Sequence, residues 1–105
     1  MPKQNIPNIF SKANLKRIMT LEGQRSSSKG IQSLQDSLLD RVEKRVKHEY
    51  QAKGVKVTEK LKKWLQEDEL EKHKDGIKAI MENKKTKTIT EKDVYTYRKI
   101  AILTV

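Results

Sequence analysis

Apolar residues recur at helical spacing over most of this chain, most clearly between residues 31 and 50. Ile31, Leu34, Leu38, Leu39, Val42, Val46 and Tyr50 fall on one face, which predicts a long amphipathic helix. Any of Ser26, Ser27 and Ser28 can cap it, since a serine oxygen accepts from a free first-turn N–H. Upstream, Leu15, Ile18 and Met19 predict a short helix from an N-cap at Ser11 to Leu21, with Gly23 just past its end. Met1 to Phe10 reads as an extended, flexible arm, because Pro2 and Pro7 bias their predecessors away from helix.

Downstream, Gly54 interrupts the pattern. Val55, Val57 and Thr58 read as an extended link that ends in a new N-cap. Glu59 to about His73 is helical again on Leu61, Trp64, Leu65 and Leu70. Asp75-Gly76 is a candidate break, after which Ile77, Ala79, Ile80 and Met81 continue in phase. Asn83 to Lys87 is a basic turn, and Thr90 is positioned to cap a last helix from Glu91 to about Ile102. Nothing alternates convincingly as a strand. Asp36–Asp40 and Arg41–Arg45 are like-charged pairs at i,i+4, so little ion pairing is expected along the long helix.

Composition changes this picture in two ways. Apolar residues are 34% of the 105 and the mean hydropathy is −0.86, thin for a chain that must enclose its own core. A dimer that shares apolar faces is therefore expected. There are 24 Lys and Arg against 14 Asp and Glu, a net +10, and a surplus of that size points to a polyanionic partner, nucleic acid first.

Other chemistry is poorly supported. Without cysteine there is neither a disulfide nor a thiolate metal site. His48 and His73 have no visible set of converging donors. No phosphate-binding glycine loop, nucleophile elbow or spaced carboxylate pair is present, so neither catalysis nor a cofactor is expected. The polar start predicts no signal peptide, and no stretch approaches a membrane span. Trp64 and Tyr97 lie on apolar faces and are expected in a core or interface, with base stacking the alternative role for them and Tyr95.

The order short helix, basic loop, long helix, basic loop, short helix resembles the histone fold. Lys87-Thr88-Ile89-Thr90-Glu91-Lys92-Asp93-Val94 resembles the second loop and third-helix start of core and archaeal histones. Leu15-Lys16-Arg17-Ile18-Met19 followed by Gly23, Arg25 and Ser26 resembles the first helix and loop. Ser33-Leu34 through Leu38-Leu39 to Val46 resembles the first half of the median helix. This chain is about four heptads longer between the loops. Gly54 and Gly76 suggest that the surplus is a broken median helix or an inserted helical segment at about 55–82. Gly54-Val55-Lys56-Val57-Thr58 is a second candidate for the second loop, with the rest an appended tail. The family usually has an arginine before the Lys-Thr pair, bridged to the aspartate. Thr86 stands there, so Lys85 or Lys92 is expected to substitute. The family's dimer–dimer histidine position falls near Asn83, which leaves stacking of dimers unsupported.

The resemblance implies an all-α histone-fold domain over 11–105 behind the arm at 1–10, joined head to tail in a handshake homodimer or histone-fold heterodimer. It implies an intracellular protein with duplex DNA as partner, bound with little sequence specificity, in a packaging or architectural role in nuclear, nucleoid or virion chromatin. Arg25 would enter the minor groove. Lys84, Lys85, Lys87 and Thr88 would meet phosphates from the second loop, and Lys12, Lys16 and Arg17 from the first helix. Asp93 would hold the second loop. Two other readings compete: a protein-interaction subunit that docks through Trp64 and the acidic run Gln66 to Glu71, and a basic RNA-binding protein.

Overall fold

Each of the first three long helices begins where a hydroxyl accepts from its first turn. In the computed structural model, which describes residues 6–103, Ser11 accepts from the Asn14 N–H and opens α1, Lys12–Leu21. Ser27 is the serine that caps α2, accepting from the Gly30 N–H. This helix is regular over Ser28–Arg45, then continues through a π-helical turn, Val46–Tyr50, and a 3₁₀ turn, Gln51–Lys53. Gly54 stops it in the left-handed region, φ 77°, where glycine avoids the Cβ clash of other residues. Thr58 then caps α3, Glu59–Met81, through the Leu61 N–H. The last helix, α4, spans Glu91–Leu103.

The turn at 54–58 sends α3 back along α2, and α4 packs against both. The stretch at about 55–82 is helical: it forms α3, the second arm of a hairpin whose first arm is α2. Asp75-Gly76 does not break α3, which runs through it. Gly76 serves packing there, because a Cβ at this position would run into the Tyr97 ring.

A single chain encloses a core. Phe10, Leu15 and Met19 meet Leu34, Leu38, Leu65, Ile77, Ile89 and Val94, all buried. Burying each large side chain contributes about 1.5–3 kcal/mol. Phe10 also corrects the expected arm. Residues 1–5 lie outside the described part, but Asn8–Phe10 form a 3₁₀ turn with the Phe10 side chain fully buried. Its carbonyl accepts 2.9 Å from Gln35 Nε2. Trp64 is not in the core. Leu61 and Leu65 take the inner side of α3, which leaves Trp64 53% exposed, its ring 5.9 Å from the Arg45 guanidinium carbon.

Polar ties also cross the hairpin. The Arg45 side chain, 10% exposed, donates to Asp68 at 2.7 Å, Glu69 at 3.1 Å and Glu49 at 3.3 Å. Burial pushes the Glu69 carboxyl up, but His73 and the Arg45 charge outweigh it and hold the group below its ordinary range. Asp40 joins Lys44 at 3.2 Å and Arg98 of α4 at 2.6 Å. With Lys47–Glu43 at 3.3 Å, α2 is more internally paired than its like-charged Asp and Arg spacings suggested.

Two substitutions test this packing. Arg45→Ala leaves Glu69, 2% exposed, without its countercharge from α2, and should cost about 3–5 kcal/mol in urea unfolding. Gly76→Ala would normally favour a helix by about 1 kcal/mol. Here it should instead destabilise by about 1–3 kcal/mol through the clash with Tyr97. A rise in melting temperature for Gly76→Ala would show that the contact is slack.

Candidate nucleic-acid interface

The two basic loops lie side by side in one chain. Arg25–Ser26, β1, and Thr88–Ile89, β2, form a minimal parallel pair with Arg25 opposite Thr88 and Ser26 opposite Ile89. The Arg25 N–H donates to the Lys87 carbonyl at 2.8 Å, and the Ser27 N–H to the Ile89 carbonyl at 3.0 Å. Sequence alternation missed these strands because two residues carry no periodicity. Gly30 lets them close: a Cβ there would collide with the Ile89 carbonyl oxygen. At Gly23, φ 77°, the chain turns out of α1 towards β1.

Topology then orients the surroundings. Both strands lead directly into helices, so a parallel pair brings the starts of α2 and α4 to the same end of the molecule. The free N–H groups and partial positive charge of two helix N-termini lie beside the loops. Arg25, Lys85 and Lys87 are exposed there, and Thr88 is half-buried. Lys29 and Lys92, exposed in the first turns of α2 and α4, belong to the same end. Lys92 was expected as a partner of Asp93 and Lys29 was not singled out, because their proximity depends on the loop pairing.

Asp93 is the clamp of the second loop. It accepts from the Thr90 N–H at 2.8 Å, the Thr90 hydroxyl at 3.0 Å and Lys84 Nζ at 2.7 Å. Thr90 thus donates its hydroxyl to Asp93 instead of accepting from the helix. Lys84, in place of the expected Lys85 or Lys92, stands opposite the aspartate. Its ammonium also reaches the Thr88 carbonyl at 3.4 Å. Burial tends to raise the Asp93 carboxyl, but Lys84 and both Thr90 donors hold it below the ordinary carboxylate range.

Lys12, Lys16 and Arg17 lie on the exposed face of α1, opposite buried Leu15 and Met19. Arg17 donates to the Asn14 side chain at 2.7 Å. Among the described residues no hydrogen bond or ion pair joins these three to the loop pair. The acidic run of α3 is divided. Asp68 and Glu69 turn inward to Arg45, Glu71 pairs with Lys74 at 3.2 Å, and Glu67 stays exposed.

Sequence reading found no partners for His73. The structure buries it completely, with Nε2 2.8 Å from Ser37 Oγ and Nδ1 2.8 Å from the Glu69 carbonyl. A carbonyl only accepts, so Nδ1 carries a hydrogen, while the Ser37 hydroxyl can serve Nε2 as donor or acceptor. Serine, histidine and glutamate are thereby sealed between α2 and α3, where they link the helices. Among the described residues no three His, Cys, Asp or Glu are grouped to hold a metal ion, and no helix is long and apolar enough to cross a membrane.

No family model, curated protein or solved structure matches this chain.

The clamp has a pH signature. A carboxyl held low in the fold contributes stability above its unfolded value of about 4 and loses it as pH falls through the folded value. Asp93→Asn should therefore lower stability at pH 7 and flatten the acid limb of unfolding below about pH 4. Identical acid limbs for the two proteins would remove Asp93 from the clamp.

Proposed function

We propose that this protein binds duplex DNA with little sequence specificity through its paired loops, as a histone-like packaging or architectural protein of chromatin or a nucleoid. The observation that carries the reading is the Arg25–Thr88 bridge. It sets an exposed arginine beside a lysine-threonine loop at the meeting point of two helix N-termini, an arrangement suited to phosphate contacts and minor-groove insertion. Lys85, Lys87, Lys29 and Lys92 add positive charge at the same end.

The histone resemblance gives loop pairing to two chains of a handshake. Here the turn at 54–58 forms it within one chain. A single chain thus presents a complete loop pair, and a homodimer or histone-fold heterodimer is a further association, formed for example by exchange of α3 and α4 about Gly54. The protein-docking reading keeps one supporting observation, exposed Trp64. It is weakened by the inward turn of Asp68 and Glu69.

Arg25→Ala combined with Lys87→Ala tests the interface. Both side chains are exposed, so the melting temperature should hold. Duplex affinity should fall about tenfold for all sequences, and the salt slope should decrease by about 2 as two cationic contacts with the duplex are lost. Unchanged affinity and slope in fluorescence anisotropy would place DNA elsewhere. Tight binding of one sequence alone, or a strong preference for structured RNA, would overturn the reading.

A further inference from the structure

The hairpin gives the molecule a second basic end. Between residues 47 and 63 stand Lys47, Lys53, Lys56, Lys60, Lys62 and Lys63 against two glutamates, Glu49 and Glu59. All six lysines are exposed. Glu49 is engaged by Arg45, and Lys47 by Glu43. Among the described residues Lys53, Lys56, Lys60, Lys62 and Lys63 form no ion pair. Five ammonium groups face one carboxylate unpaired among the described residues, Glu59, at this turn; the surplus lysines repel one another, and a polyanion relieves that repulsion. Exposed Trp64, with Arg45 near its ring, borders the cluster.

This end is remote from the loop pair. Helical backbone from Ser28 to Lys53 extends for about 39 Å at about 1.5 Å per residue, in a molecule 46 Å long. That separation is several times the Debye length of about 8 Å at physiological salt, so the two ends act as independent sites. They also face opposite ways. The starts of α2 and α4 point out of one end, and the start of α3 with its turn points out of the other. The helices between carry mostly paired charge, as in Lys44–Asp40, Lys72–Asp68 and Lys74–Glu71, and so offer little net attraction to one duplex spanning both ends across those faces. On the α1 flank, where Lys12, Lys16 and Arg17 are exposed, a single duplex has a rival route.

We infer that the hairpin tip is a second nucleic-acid site, and that one chain bridges two DNA segments, one at the loop pair and one at the tip. This rests on the loop pair binding DNA, as proposed above. The role is the joining of DNA strands side by side, which a protein with one DNA-binding end performs only through self-association.

The test uses the full chain, a biotinylated duplex on beads and a labelled free duplex. Wild type should bind the beads and capture the label. Lys53→Ala, Lys56→Ala, Lys60→Ala and Lys63→Ala combined should keep its fold by circular dichroism and stay within about threefold in bead binding. Its capture of label should drop about tenfold. Wild-type binding without capture overturns bridging alone, and a matching fall in binding on the tip variant then identifies a single track along α1. Absence of any wild-type binding overturns the loop-pair reading as well. Equal capture by variant and wild type also overturns the proposal. In that case, tip-dependent flotation with phosphatidylserine vesicles reassigns the lysines to a lipid surface.

Discussion

The register between the two arms of the hairpin governs everything built at its open end. Apolar contacts alone tolerate sliding by a turn, since one leucine replaces another at similar cost. Polar ties do not. Arg45 reaches Asp68 and Glu69 near the turn, and Ser37 reaches His73 further along. A slip of one turn would part the buried Glu69 charge and the buried His73 Nε2 from their cross-helix partners, a loss far larger than a mismatched methyl group. These ties set where α3 ends, and with it where the second loop meets the first.

From that register follows the loop pair. Two strands of two residues contribute little pairing energy of their own. They persist because α2 and α4 are packed on both sides, Ile89 is buried between them, and Gly30 allows the backbones to touch. Asp93 then fixes the second loop from inside by satisfying the Thr90 N–H and hydroxyl and the Lys84 ammonium together. Lys84 is spent on the fold, whereas Lys85, Lys87 and Arg25 face solvent. One basic turn thus divides into a structural cation and cations exposed to solvent.

The same hairpin distributes charge along the long axis. It carries the lysines around Gly54 to the end opposite the loops and leaves acidic side chains on the helices between. Some of those acids are internal countercharges, as Asp68 and Glu69 are to Arg45. A net charge is a property of composition, but two basic ends on either side of a nearly balanced middle, along 46 Å, are a property of folding back.

Much of this was legible in the sequence. The caps at Ser11 and Thr58, the stop at Gly54 and the inward face from Ile31 to Val46 follow from local chemistry, and the histone resemblance pointed to a structural role for Asp93. Capping hydroxyls, a left-handed glycine and helical periodicity act over a few residues. Arg25 and Lys87 were legible as basic loop residues, but their adjacency within one chain was not. Four features needed tertiary structure: the burial of Phe10, the exposure of Trp64, the unbroken helix through Gly76, and the choice of Lys84 as the aspartate's partner. Each depends on which face of a helix meets another helix, or on how closely two backbones approach. The sequence by itself determined the helices, their caps and the sign of the charge, because those are set by neighbours along the chain. Only the tertiary structure decided which loops meet and where the charges lie, because those depend on how α3 returns along α2.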